Sequence, residues 1–311
     1  MISETRLRPL AKGIGSFALS ALRSTHQNSG SASAEHCYNL FMRHLGGIAP
    51  HIGGRMPRTL VEIGPGSSLG TGFAALLCGV ERYVALDLQE HRSSQHDREV
   101  LAEIANLLRL RTPFSGSTDR GEHFFPPAPG ENLWDLIGPK VDAAIAAGLE
   151  QTLDRELASG TGDRVTYVAP WSDQQVLPGN SAEWLMSHSV MEHVDDLEQA
   201  YASMAHWLAP GGYATHLIDF SAHTLTKHWN GHWTLGSGMW SLVRGRRPYL
   251  INRQWRSRHL EIMRDHGFEV VSEATFERED GWPKEVLKQP FAHMPSGDER
   301  IGMSFVVARK L

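Results

Sequence analysis

Cysteine is scarce in this sequence, and a disulfide framework is not expected. The 311 residues include two cysteines, Cys37 and Cys78, which lie far apart along the chain. Small domains that depend on disulfides carry several cysteines at close spacings and belong to oxidising compartments. We therefore expect a protein of the reducing cytoplasm.

Long apolar runs and an excess of basic charge are also missing. No stretch approaches the roughly 18 consecutive apolar residues that a membrane-spanning helix needs. The formal net charge of -5 gives no reason to expect a nucleic-acid partner. Hydrophobic residues make up 41% and charged residues 21% of the chain, which is ordinary for a globular protein.

The first thirty residues combine basic and apolar side chains. A signal peptide fits poorly because Lys12, Gly13 and Gly15 interrupt the apolar region. Two interpretations remain open: a helix packed on the domain, or a basic amphipathic segment that touches the inner face of an anionic membrane. Residues 29–34 contain only serine, glycine and alanine and predict a linker.

Residues 59–88 predict a strand, a glycine turn, a helix and a second strand. Thr59 to Ile63 are mostly apolar, as a strand buried on both faces requires. The turn from Gly64 to Ser68 leaves little side-chain bulk beside the end of that strand. The second strand ends on Asp87, about twenty residues after the glycines, where α/β nucleotide sites place an acid on the ribose hydroxyls.

The residues in and around the turn indicate which kind of nucleoside would bind. A dinucleotide fingerprint needs glycine or alanine at position 69, where this chain has Leu69, so an NAD-dependent reductase is disfavoured. Glu62 precedes the turn, and a carboxylate there favours a cationic ligand over a phosphate.

These residues resemble the class I methyltransferases that use S-adenosylmethionine. Glu62, Gly64 and Gly66 match the glycine motif of that family, and Ser68 replaces its last glycine. The resemblance implies an α/β fold with a Rossmann-like, doubly wound, seven-stranded sheet whose last strand is antiparallel. It also implies S-adenosylmethionine as cofactor, held by Glu62, Gly64, Pro65, Gly66, Ser67, Asp87, Leu88, Asp173 and Ser189. Asp173 has the place of the acid that accepts from the adenine amino group, with Trp171 beside the ring.

A second segment resembles the small-molecule methyltransferases. A predicted strand from Ala182 to His188 leads into Ser189 and His193, and a helix then runs to Leu208 before a turn at Pro210 and a fifth strand. The resemblance spans residues 59–311. It implies a methyltransferase domain over that range, an N-terminal helical extension over 1–58, and insertions at about 89–163 and 221–251 that form a substrate cap. Within the first insertion, residues 112–130 predict a loop and residues 133–157 a helix.

The predicted catalytic residues follow the fourth and fifth strands. His193 is the proposed general base, since imidazole titrates near neutrality, with Asp219 to orient it and His223 as the alternative. Asp219, His223, His228 and His232 are residue types that could hold a divalent metal, but their spacing matches no established motif, and no metal is predicted.

The acceptor region is polar, aromatic and rich in arginine. The predicted substrate-binding residues are His228, Trp229, His232, Trp233, Arg246 and Arg247. Together with the resemblance they predict O-methylation of a sugar or glycan hydroxyl, with a possibly anionic acceptor, in bacterial surface polysaccharide biosynthesis. A natural-product O- or N-methyltransferase is the alternative, and a non-catalytic S-adenosylmethionine-binding subunit is a third class.

Overall fold

The computed structural model describes residues 4–19, 33–90, 92–114, 133–171 and 173–311. Most of the predicted linker at 29–34 and of the predicted loop at 112–130 lies outside the described residues. Among the helices that are described, none is long and apolar enough to cross a bilayer.

A seven-stranded sheet forms the centre of the fold. Its strands are β1 Thr59–Ile63, β2 Arg82–Leu86, β3 Val165–Val168, β4 Ala182–His188, β5 Leu208–Asp219, β6 Phe268–Glu277 and β7 Ile301–Lys310. The order is β3-β2-β1-β4-β5-β7-β6. Strands β1 to β5 pair in parallel, and β7 runs antiparallel to both β5 and β6. The predicted Rossmann-like sheet with an antiparallel last strand is confirmed.

The strand order reverses beside β1. Ile63, the last residue of β1, pairs with Leu86 of β2 on one side and with Ser187 of β4 on the other. Open α/β sheets bind ligands in the crevice outside the strand ends at such a reversal. The segments that follow β1, β2 and β4 therefore begin next to one another.

Helices cover both faces of the sheet. Those described are α1 Leu7–Gly15, α2 Ala34–Ile48, α3 Gly70–Leu77, α4 Ser94–Arg109, α5 Leu133–Ala146, α6 Leu149–Ser159, α7 Leu197–Trp207, α8 Ser237–Arg244 and α9 Arg256–Asp265. Because successive strand residues face opposite sides, Leu60 joins the core under α2 to α5, and Val61 joins the core under α7 and α9.

Two helix boundaries differ from the sequence expectation for local reasons. The stretch predicted as one helix over residues 133–157 is two helices, because Gly148 adopts a positive φ of 65° between them. The helix predicted to run to Leu208 ends at Trp207, and Leu208 already pairs with Ala182 as the first residue of β5.

The N-terminal residues pack in two different places. Helix α2 lies within the main core, where Phe41 and Leu45 are fully buried. Helix α1 instead packs against α8 in the 221–251 stretch, and Thr5 forms an isolated antiparallel bridge with Thr226. The division at residue 58 and the cap role of both insertions remain predictions.

Buried histidines occur on both faces of the sheet. His44 Nδ1 lies 2.8 Å from Thr215 Oγ1, His216 Nδ1 lies 2.8 Å from Ser187 Oγ, and His259 Nδ1 lies 3.0 Å from the Tyr201 hydroxyl. Burial disfavours the charged imidazolium and lowers the pKa of both His216 and His259 to about 3. These side chains are therefore neutral parts of the core at pH 7.

We expect His216 to make the fold sensitive to acid. Its folded-state pKa lies below the 6.5 of an exposed histidine, so the stability that the neutral ring contributes is complete above pH 6.5 and is lost as the pH falls towards 3. The native chain and the His216→Asn variant should differ in their free energy of unfolding, and this difference should shrink by about 1.4 kcal/mol for each pH unit as the pH falls from 6.5 towards 3.

Urea unfolding at several pH values measures this difference. The exposed His206 provides the matched control, because His206→Asn should give a difference that does not change with pH. A constant difference for His216→Asn as well would contradict a neutral, buried ring.

Candidate functional site

The glycine turn after β1 requires glycine for steric reasons. Gly64 and Gly66 have φ angles of +72° and +74°, which other residues rarely adopt. A methyl group on Gly64 would lie 2.5 Å from Cγ2 of Val190, which follows β4. Both glycines are partly exposed, and the Val190 side chain packs against Gly64.

Asp87 lies beside this turn, as the strand pairing requires. Its Oδ2 accepts from the Gly66 amide at 3.3 Å, and its Oδ1 accepts from the Leu88 amide at 2.7 Å. Asp87 is half-buried and directly follows β2. The structure therefore brings Gly64, Gly66, Asp87 and Leu88 together, and their contact with a cofactor remains a prediction.

Glu62 lies beneath the turn. The side chain is 3% exposed and accepts a hydrogen bond from the Tyr83 hydroxyl. Burial raises the pKa of this carboxyl to about 7, with a further contribution from Asp87. Glu62 thus supports the turn from within the core, and its predicted cofactor contact stays a prediction.

Asp97 supports the same turn and was not predicted from the sequence. Its Oδ1 accepts from the Leu69 amide at 3.0 Å, directly before α3, and its Oδ2 receives Arg92 Nε at 2.9 Å. The sequence did carry a signal, because Asp97 falls on the apolar stripe of α4, three residues before Val100. An acid at such a position needs partners within the core.

The remaining predicted cofactor residues lie around the crevice. Pro65 is buried, and Ser67 and Ser189 are partly exposed. Asp173 is exposed, and its Oδ1 accepts from the Gln175 amide at the start of a short 3-10 turn. Trp171 is buried against Trp207, and its amide donates to the carbonyl of Asp87.

A second group of ionisable side chains follows β4 and β5. His223 Nε2 lies 3.5 Å from Asp219 Oδ2 and 3.9 Å from Glu192 Oε1. The rings of His193 and His223 have centroids 4.9 Å apart. The three predicted catalytic residues therefore meet in one place, with Glu192 among them. Glu192 was not predicted, although it directly precedes His193 in the segment that carries the resemblance.

Burial favours the neutral forms of Glu192 and His193. Burial raises the pKa of Glu192 well above its usual value, and nearby Asp219 raises it further. Burial and neighbouring His223 lower the pKa of His193 to about 4. His193 Nδ1 lies 3.2 Å from the carbonyl oxygen of Tyr249, which only accepts, so Nδ1 donates and Nε2 carries the lone pair.

Unusual backbone conformations surround this group. Positive φ angles occur at Ser189 (52°), His223 (42°), Thr224 (66°) and Tyr249 (52°), none of which is glycine. Such conformations persist only where the surrounding structure enforces them, and they concentrate at functional sites. The surrounding structure therefore holds the backbone that follows β4 and β5 in defined conformations.

The aromatic residues predicted to bind substrate are mainly part of the core. Trp233 is fully buried and donates from Nε1 to the Arg253 carbonyl, and Trp229 is 7% exposed. His232 is also buried. His228 is more exposed, and its Nδ1 lies 3.0 Å from Oε2 of Glu4. The polar and aromatic composition of this stretch thus has a structural explanation.

The two predicted substrate-binding arginines differ in environment. Arg247 is buried and donates to the carbonyls of Val243 and Arg244 in α8 and of Pro9 in α1. Arg246 is exposed, and its guanidinium lies 5.9 Å from the ring centroid of Phe17. Arg247 therefore joins α1 to α8, and Arg246 is the one of the pair that is available at the surface.

Comparison with known proteins finds similarity in solved structures. No known family profile matches the sequence, and no curated protein sequence matches it. A phosphoethanolamine N-methyltransferase 2 from Haemonchus contortus, in complex with S-adenosyl-L-methionine, is similar over 93% of this chain and 58% of its own, with 16% identity and a TM-score of 0.47. This chain thus spans under two thirds of that protein.

Two bacterial structures are also similar. An S-adenosylmethionine-dependent methyltransferase from Mesorhizobium loti has 15% identity and a TM-score of 0.40 over 89% of this chain and 98% of its own. A putative S-adenosylmethionine-dependent methyltransferase from Listeria monocytogenes has 11% identity and a TM-score of 0.41 over 86% of this chain and 98% of its own. At these identities the likeness concerns the fold.

Proposed function

We propose that this protein is an S-adenosylmethionine-dependent methyltransferase. The observation that carries the proposal is the glycine turn at Gly64 and Gly66 with the Asp87 carboxylate at its side, at the reversal of the strand order. The partly exposed glycine backbone suits the close approach of a nucleoside, and the acid suits the ribose hydroxyls. Leu69 stands at the third small position, where the dinucleotide fingerprint needs glycine or alanine, so a dinucleotide is disfavoured.

The residues around the turn have defined roles in this proposal. The backbone from Gly64 to Ser67 holds the cofactor, Asp87 accepts from its ribose, and Asp173 and Ser189 contact it from the segments after β3 and β4. The bound cofactor supplies an electrophilic methyl group on a sulfonium. The chain's own task is to hold an acceptor in line with that methyl group and to exclude water.

The proposed acceptor is a hydroxyl group of a small polar molecule. His193 is placed for this chemistry, because its Nε2 is free of the Tyr249 contact, and Asp219 and His223 lie alongside. Burial lowers its pKa to about 4, so the ring is neutral at pH 7 and is a weaker base than a free imidazole. The finer proposal is a sugar or glycan hydroxyl in bacterial surface polysaccharide biosynthesis. Its support lies in the sequence resemblance and in the exposed Arg246, since the tryptophans predicted to contact a sugar are buried.

Replacement of Asp87 should weaken cofactor binding. We expect Asp87→Ala to reduce the affinity for S-adenosylmethionine by about 1 to 3 kcal/mol, since a charge-assisted hydrogen bond is lost. Titration calorimetry measures this loss, and Asp142→Ala, an exposed position on α5, should retain full affinity. Equal affinities in the two variants, or binding of NADH in place of S-adenosylmethionine, would refute the proposal.

Replacement of His193 should slow methyl transfer without affecting cofactor binding. Incubation with methyl-labelled cofactor and a panel of nucleotide sugars and lipid-linked glycans identifies the acceptor. With that acceptor, His193→Ala should lower turnover by roughly 10²- to 10⁴-fold, whereas exposed His206→Ala should match the native chain. A fully active His193→Ala would remove this residue from the mechanism, and labelling of amines alone would contradict hydroxyl chemistry.

We also propose that α1 contacts an anionic membrane surface. Large apolar side chains are exposed on α1 and the residues after it and on neighbouring α8, namely Leu7 (78%), Ile14 (49%), Phe17 (46%), Leu19 (59%) and Leu242 (42%). Basic Arg6 and Arg8 are exposed beside them. An apolar surface with basic neighbours complements anionic headgroups over acyl chains.

Vesicle sedimentation tests this contact. The native chain should bind phosphatidylglycerol vesicles more tightly than phosphatidylcholine vesicles, and Leu7→Ser should weaken binding about tenfold or more, since burying a leucine contributes about 1.5 to 3 kcal/mol. Leu110 directly follows α4 and is 69% exposed, so Leu110→Ser is the matched control. Equal binding by all three proteins would disprove the contact.

A further inference from the structure

We propose that Glu192, His193 and His223 form a binding site for a divalent transition-metal ion, which we name the Glu-His-His cluster. One ligand atom from each of the three side chains lies within 4.8 Å of the other two. The cluster combines residues that follow β4 with a residue that follows β5. It adjoins the glycine turn, because Val190, two residues before Glu192, touches Gly64.

The distances within the cluster suit a shared ion. Glu192 Oε1 lies 3.9 Å and Asp219 Oδ2 lies 3.5 Å from His223 Nε2. Ligand atoms that bind one zinc ion at about 2.0 to 2.2 Å are separated by about 3.3 Å in a tetrahedral arrangement. Shifts of well under 1 Å would bring these atoms to that spacing.

The carboxylate of Glu192 is buried without a hydrogen-bond partner. Neither Oε1 nor Oε2 of Glu192 has a hydrogen bond among the described residues, and the same holds for His223 Nε2. Glu192 is 3% exposed. Buried polar atoms are normally paired, and an unpaired buried carboxylate is costly. A bound cation would provide the missing partner for all three atoms at once.

Neighbouring groups already hold the ligands in position. Tyr249 fixes the ring of His193 through Nδ1, which leaves Nε2 for an ion. The side-chain amide of Asn252 donates to the carbonyls of Met191 and Val194, and the backbone amide of Asn252 donates to the carbonyl of Glu192. Metal-binding imidazoles commonly donate their second ring nitrogen to a backbone carbonyl in this way.

The ligand types select the class of ion. Two imidazoles and one carboxylate suit Zn²⁺, Mn²⁺ or Fe²⁺, whereas Mg²⁺ and Ca²⁺ prefer oxygen ligands throughout. Asp219 lies outside the group of three, with its Oδ2 3.5 Å from His223 Nε2 and its Oδ1 accepting from the Ser221 amide at 2.8 Å. Three protein ligands leave the fourth position of a tetrahedral site open for the acceptor.

The role of the ion rests on the proposed methyl transfer, although its binding does not. An ion on the acceptor oxygen would lower the pKa of that hydroxyl, so its proton leaves to solvent. The oxygen then bonds to the methyl carbon as the carbon–sulfur bond breaks. In this arrangement His193 acts as a ligand instead of a base. Loss of turnover in His193→Ala fits both roles, and ion binding distinguishes them.

Calorimetric titration of the metal-stripped full chain with ZnCl₂ and with MnCl₂ tests the site directly. We expect about one equivalent of either ion to bind, and Glu192→Gln and His223→Ala each to weaken binding by at least about tenfold, since each removes a ligand. The exposed controls Glu198→Gln and His206→Ala should bind as the native chain does. Far-ultraviolet circular dichroism confirms that each variant is folded.

Parallel titration with S-adenosylmethionine separates the two proposals. Cofactor binding without binding of either ion would overturn the metal site and leave methyl transfer intact. Ion binding without cofactor binding would keep the site and remove its role in methyl transfer. Unchanged ion affinity in Glu192→Gln and in His223→Ala, with both variants folded, would also overturn the Glu-His-His cluster.

Discussion

The parallel pairing of β1 with β2 and β4 is the constraint on which the rest of the structure depends. It aligns Ile63 with Leu86 and Ser187, so the chain segments after three strands start at the same edge of the sheet. The contacts of Gly66 with Asp87 and of Gly64 with Val190 follow from this register. A shift of the strand register by one residue would turn each buried side chain to the opposite face of the sheet and would separate both of these contacts.

Desolvation divides the ionisable side chains into two groups. His44, His216 and His259 are buried with a polar neighbour on at least one ring nitrogen each, and they serve the core as neutral rings. Glu192 is buried at a strand end with two carboxylate oxygens that have no hydrogen bond among the described residues, and the partly exposed His223 has an Nε2 without a hydrogen bond there. Burial alone therefore does not identify a functional residue. Two carboxylate oxygens without hydrogen bonds are a stronger sign, because an unpaired buried carboxylate costs more than the unpaired ring nitrogens of His216 and His259.

The sequence predicted strands more accurately than it predicted side-chain roles. The bounds of β1 and β4 match the expectation at both ends, since short apolar runs next to glycine or polar residues define buried strands well. The role of the 228–233 stretch was harder to predict, because composition does not reveal which polar atoms find partners. Asn230 donates to the carbonyls of Trp282 and Glu299, about 52 and 69 residues later. Such long-range bonds leave no local pattern in the sequence.

The burial of that stretch bears on the proposed choice of acceptor. Trp229 and Trp233 pack in the core beneath α7 and α9, and Arg247 joins α8 to α1. Their contact with a substrate remains a prediction. The ionisable side chains after β4 and β5 meet at the strand ends. For the proposed methyl transfer, selection of the acceptor by charge and by metal or proton chemistry therefore fits this site better than stacking on an aromatic surface.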